Sequence, residues 1–211
     1  MGWRIFHSAG LAFRCRPLLN SNVRPRPQPT SVTFSVLIET PSASHEFAVS
    51  SRHSMFIPIL RGSFYRAIDP QFRDFAITGS RSAGRYSRPE EPTLYLSSSI
   101  DGVEAAMIAH KDSRLSSLEI REIEVEATGI LDLRNSSAVA KIGINLADAV
   151  APWQDIAASG GTPRSWAVRD RLIEAGANGL IDPSRKRPGL WHLVLFRWNE
   201  ANGPKVRVIG A

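Results

Sequence analysis

The stretch GRYSRPEEPTLYLSSSIDGVEAAMIAH, Gly84 to His110, holds a turn, a strand and a helix in succession, and its reading decides the fold. Gly79 to Glu91 is rich in Gly, Ser, Arg and Pro, as a surface loop would be. Thr93 to Ser97 then alternates with period two, putting Leu94 and Leu96 on one face and Tyr95 on the other. That is the pattern of a half-buried strand. Asp101 precedes Val103, Ala106, Met107 and His110, which follow the helical spacing of three, four and seven, so the sequence predicts an amphipathic helix capped by Asp101. Glu104 lies beside that stripe rather than in it.

Working outward, Phe64 to Ile68 is a short apolar segment that carries Tyr65 and Arg66. Ile120 to Ala127 alternates again, with Ile123, Val125 and Ala127 opposite Glu122, Glu124 and Glu126, so one face of this strand meets water. Ala138 to Val150 is a plausible helix. Thr162 followed by Pro163 reads as an N-cap with proline at the first helical position, Gly176 closes that helix, and Trp166 and Ile173 give it an apolar face. Trp191 to Trp198 is a nearly continuous apolar run interrupted by His192 and Arg197, the mark of a centrally buried strand, and Lys205 to Ile209 supplies another. The sum is a mixed α+β domain in which strands outnumber helices.

A chain of 211 residues with 43% apolar and 22% charged residues has the composition of one globular domain able to bury its own core. Its single cysteine, Cys15, excludes an intramolecular disulfide and a thiolate zinc cage, and fits a reducing, cytoplasmic setting. No apolar run approaches the roughly 18 residues of a membrane helix. The net charge of +6 invites a nucleic-acid partner, but half of the excess lies before Ser50, where five arginines meet only Glu39 and Glu46. The rest is nearly balanced, so a solvated surface is the simpler reading and direct nucleic-acid binding is not expected. Residues 1–50 read as a basic extension: Arg24, Pro25, Arg26, Pro27, Gln28 and Pro29 suit a linker, and the acid-poor, Arg- and Ser-bearing leader has the look of a transit peptide or of sequence upstream of the true start.

The familiar phosphate and nucleophile motifs are missing: there is no GxGxxG after a strand, no Walker loop, no GxSxG elbow and no HExxH helix. His53, His110 and His192 do not stand at metal-ligand spacing, so no metal is expected. Several polar residues sit in unusual places instead. Arg66 falls within an apolar strand, where a charge is costly unless it is paired, meets an anionic ligand or reaches solvent at the strand end. Gly84 beside Arg85 and Tyr86 suits either a surface turn or a backbone passing close to a ligand. Pro183 to Arg187 suits a phosphate nest, an import patch or a solvated loop.

Read in order, these segments resemble a family. FYRAIDP (Phe64 to Pro70), GRYSRPEEPTLYLSSS (Gly84 to Ser99) leading into GVEAAMIAH, SWAVRDRLIEAGANGLIDPSRKRPG (Ser165 to Gly189) and WHLVLFRW are similar to the core of the RES-domain proteins, over Phe56 to Ile209. The resemblance implies a domain at residues 56–211, with a mixed, mostly antiparallel sheet and flanking helices similar to ADP-ribosyltransferases. It implies NAD as substrate, cleaved at the nicotinamide glycosidic bond by phosphate or water, and a helix-turn-helix antitoxin as partner; it leaves room for a homo-oligomer. Carried over by position, Arg66 matches the family arginine, Tyr65 its neighbour, Arg85 the arginine of the turn, Tyr95 the aromatic of the LY strand and Ser184 the loop serine. The family acid is expected near Ala106, whereas the nearest glutamate is Glu104. Two residues turn a helical side chain by about 200°. Glu104 therefore reaches the site only if the register shifts at Asp101 and Gly102; otherwise the chain is a noncatalytic member that binds a nucleotide or its antitoxin.

Overall fold

The computed structural model describes residues 55–109 and 117–210, so His53, His110, Cys15 and the basic extension lie outside the described residues. Nine residues of β1 (Leu60–Ile68) run antiparallel to β3 (Glu119–Ala127) along their whole length, from Leu60 opposite Ala127 to Ile68 opposite Glu119. The strand is longer than its apolar segment because Leu60 and Phe64 alternate with partly exposed residues that the β3 glutamates match. On the other side β1 meets β2 (Leu94–Ser97), which pairs with β6 (Trp191–Leu195). Beyond it lie β5 (Gly179–Pro183) and β4 (Ile130–Asp132), while β7 (Lys205–Val208) extends the sheet past β3. Among the described residues the seven strands form one sheet in the order β4-β5-β6-β2-β1-β3-β7, antiparallel at every pairing except β4 with β5. The expected α+β class, with a mixed and mostly antiparallel sheet, is the one observed.

Alternation divides the core between the two faces. Phe64, Leu94, Leu96, Ile123, Ile181, Leu193 and Leu195 pack on one, and Leu131, Leu180 and Val194 on the other. The second face is covered by the helices α2 (Ser136–Ile142) and α5 (Arg164–Glu174), through Val139, Ile142, Val168 and Leu172. The single helix read over Ala138 to Val150 is two: α2 stops at Gly143, whose left-handed φ of 74° ends the helix, and Asn145 accepts from Ala147 N–H to start α3 (Leu146–Val150). A short helix α4 (Gln154–Ala158) follows. The run Trp191 to Trp198 is a strand only to Leu195; Trp198 leaves the sheet and donates its indole N–H to the Ile77 carbonyl at 2.8 Å.

Two cap assignments change. The helix after β2, α1 (Ile100–Ala109), is capped by Ser99, whose Oγ accepts from Gly102 N–H at 3.1 Å, and Asp101 lies inside its first turn. At α5, Pro163 rather than Thr162 occupies the cap position, with no side-chain hydrogen bond. Its buried face is Ser165, Val168, Arg169 and Leu172, with Trp166 beside it, while Ile173 is 43% exposed.

Candidate active site

The directly opposed pairs Tyr65 with Ser97, Ser97 with His192 and His192 with Asp182 form one row across β1, β2, β6 and β5. Opposed residues share a sheet face, so four polar side chains stand side by side in the middle of an apolar sheet. Ser97 Oγ lies 3.1 Å from His192 Nδ1. All four border a cavity of about 580 Å³, within the size range of small-molecule sites. The walls are α1, the Ser80–Tyr86 loop, Trp153 and Gln154, and the segment after β5.

The wall carries three cationic side chains, Arg85, Arg185 and Lys186, against one carboxylate among the described residues, Asp182; Arg66 borders the cavity from β1 but sends its side chain to the opposite face of the sheet. Arg185 forks onto Asp182 with Nη1 to Oδ2 at 3.1 Å and Nη2 to Oδ1 at 2.9 Å, and Tyr86 donates its hydroxyl to Oδ1 at 3.2 Å. Burial pushes the Asp182 carboxyl up and the nearby arginines, Arg185 first, oppose it. Burial likewise raises the hydroxyls of Tyr86 and Tyr95, so both remain protonated donors. Arg85 donates to the carbonyls of Ala149 (2.9 Å) and Ala151 (2.8 Å), and Arg185 also reaches Ala149 at 3.1 Å. Two guanidiniums thus converge on the C-terminal end of α3, and burial first, then Arg185, pulls Arg85 below its ordinary value. An electrostatic field of this sign waits for an anion.

The turn that bears Arg85 is held by α5. Trp166 donates to the Gly84 carbonyl at 2.9 Å, Ser165 donates to the Arg85 carbonyl, and Arg88 forks onto Asp170 with both contacts at 2.7 Å. Tyr95 fastens it from below: its hydroxyl accepts from Tyr86 N–H at 3.1 Å and lies 3.1 Å from Ser87 Oγ. A Cβ on Gly84 would stand 2.7 Å from that hydroxyl, which is why the turn begins with glycine.

Of the residues selected from sequence, Tyr65, Arg66, Arg85, Tyr95 and Ser184 border the cavity. Tyr65 and Arg66 are consecutive on β1 and face opposite sides of the sheet; the Arg66 guanidinium donates to the Ala76 carbonyl at 2.6 Å, and burial lowers its pKa. Glu104 is the exception. Ala105, Ala106 and Met107 line the cavity, whereas the Glu104 carboxylate is turned to Arg187 at 3.4 Å in an ion pair with both side chains more than two-fifths exposed. Glu104 and Ala106 lie in one uninterrupted helix, so about 200° separates their side chains. Sequence reading missed Asp182, His192, Ser97 and Arg185 as a group, because only the pairing of β2, β5 and β6 joins them. Among the described residues no group of three His, Cys, Asp or Glu side chains could hold a metal ion, and no helix is long and apolar enough to cross a membrane.

A model of the RES domain matches residues 61–211. The chain belongs to the RES-domain family. Among solved structures, this RES domain is similar to a chain of the M. tuberculosis MbcT–MbcA toxin–antitoxin complex, with 17% identity and a TM-score of 0.45, over 74% of this chain and 86% of that one. No curated protein matches it.

Proposed function

We propose that this RES domain binds NAD in the cavity beneath α1 and cleaves the bond between nicotinamide and ribose, as the toxin partner of a helix-turn-helix antitoxin in the cytoplasm. The functional unit is residues 56–211, with residues 1–50 outside it. The observation that carries the reading is the wall itself: three cations, an aromatic lining and one buried carboxylate in a single cavity. Breaking the glycosidic bond leaves a ribose with oxocarbenium character, which needs negative charge beside the sugar and fixed cations on the pyrophosphate. Asp182 supplies the first, already oriented by Arg185 and Tyr86. Arg85 and Arg185 supply the second, held in place by the Ala149 carbonyl so that little ordering remains to be done on binding. Tyr65 and Tyr95 offer ring faces to the nicotinamide or adenine, and Ser184 a hydroxyl to the ribose.

A second reading, nucleotide binding without turnover, is favoured by one observation: α1 presents only apolar side chains to the cavity where the family resemblance calls for an acid. One experiment separates them. The full chain is incubated with NAD, nicotinamide is measured by chromatography, and ADP-ribose binding is followed by calorimetry. Nicotinamide release above the buffer rate supports cleavage; ADP-ribose binding without release supports the binding reading; neither result leaves the cavity without a nucleotide role.

A further inference from the structure

Cleavage by water needs a group that takes a proton from the attacking oxygen near neutral pH. The cavity offers few. Its arginines and Lys186 are charged donors, and Tyr86 and Tyr95 are pushed toward the protonated form by burial. Asp182 is occupied by the Arg185 fork and the Tyr86 hydroxyl, which suits it to stand as a fixed charge. His192 remains, on the floor, in the one residue type whose ordinary titration falls between about pH 5 and 8.

We propose that His192 is the catalytic base of this cavity and that Ser97, 3.1 Å from Nδ1, is the residue that positions its ring. The proposal rests on the NAD-cleavage reading and deepens it by naming water as the acceptor, since a phosphate dianion needs no base. In the step, the water oxygen bonds to the ribose C1′ and its proton passes to the imidazole. The C1′–N bond breaks with its electron pair retained by nicotinamide, which leaves neutral, and the imidazolium returns the proton to solvent. The imidazolium forms directly across the strand pair from Asp182, where a carboxylate stabilises it. The titratable and charged groups that line the cavity with His192 are Asp182 from β5, Tyr95 from β2, Tyr65 from β1, and Arg85, Tyr86, Arg185 and Lys186 from the flanking loops; α1 contributes none to the wall.

The test is the pH dependence of nicotinamide release by the full chain in phosphate-free buffer, for the wild type, His192→Gln and Ser97→Ala. The expected wild-type profile falls on the acid side, with a midpoint that matches the titration of the His192 ring followed by NMR in the same protein. His192→Gln should lose that limb and about 100-fold or more in rate, the low end for a general base, while ADP-ribose affinity stays within twofold. Ser97→Ala should keep the limb but move its midpoint. An acid limb that persists in His192→Gln, or a wild-type ring that titrates away from the limb, assigns it to another group such as Asp182 and overturns the proposal while NAD cleavage stands. Should His192→Gln fail to fold, the wild-type NMR comparison decides alone. No release from the wild type at any pH removes the NAD-cleavage reading and this base with it.

Discussion

Gly84 and Tyr95 show how one residue's size can be set by another's hydrogen bond. The Tyr95 hydroxyl, together with Ser87 Oγ, occupies the space a Cβ at position 84 would need, and it serves the Tyr86 N–H. Gly84→Ala should therefore destabilise the fold by about 1–3 kcal/mol, as overpacking does. Tyr95→Phe should cost a similar amount, because the buried Tyr86 N–H loses its acceptor. Combined, the two should cost less than the sum, since removing the hydroxyl relieves one of the two closest contacts of the new methyl, the other being Ser87 Oγ at 2.7 Å; urea denaturation of the four proteins measures the coupling. Additivity within about 0.3 kcal/mol would mean that turn and tyrosine are independent. Both residues stand out in the sequence, Gly84 as a surface turn or a backbone passing close to a ligand and Tyr95 as a ring for the ligand. The hydroxyl's use was hidden, because hydrogen bonds between a strand and the turn before it leave no trace in periodicity.

Helices α1 and α5 are legible in extent, and the facing of α5 only in part: Trp166 is buried, whereas Ile173 is exposed. On α1 the stripe Val103, Ala106 and Met107 lines the cavity, and Val103 is buried as well. On α5 the buried face runs through Ser165 and Arg169, two polar residues that a search for apolar spacing passes over. They are buried because each has a partner, the Arg85 carbonyl for Ser165 and Glu91 for Arg169 at 3.0 Å. The orientation of α1 makes a sharp statement about acids. Glu104→Gln should leave nicotinamide release unchanged and alter stability by no more than about 0.5 kcal/mol, because it removes only an exposed ion pair with Arg187. Ala106→Glu, two residues along, should put a carboxylate on the cavity wall and raise release. A strong loss of release in Glu104→Gln with Ala106→Glu inert would mean that α1 turns its other side to the substrate.

At the scale of the molecule, the sheet explains why the class was readable and the site was not. Alternation in β2 and β3 and the apolar run of β6 identify strands from local pattern, whereas the order β5-β6-β2-β1 that assembles the row of Asp182, His192, Ser97 and Tyr65 depends on pairings between residues far apart in the chain. The same separation governs charge. A net +6 says nothing about place, yet the sheet puts Arg61, Lys205 and Arg207 among the glutamates of β3, while the cavity gathers Arg85, Arg185 and Lys186 with Asp182. Two substitutions with identical effect on net charge should then differ. Lys186→Gln removes a charge from the cavity wall and should weaken ADP-ribose binding by about 1 kcal/mol, roughly fivefold, the size of a solvent-screened contact between unit charges. It should also flatten the dependence of affinity on salt. Lys205→Gln, at the exposed start of β7 opposite Glu126, should change neither affinity nor salt dependence. Calorimetric titration of ADP-ribose at two ionic strengths checks both variants, with thermal melting to confirm that each is folded. Equal losses from the two lysines would show that the anion responds to the charge of the whole surface, and the cavity would lose its claim to be the place where it binds.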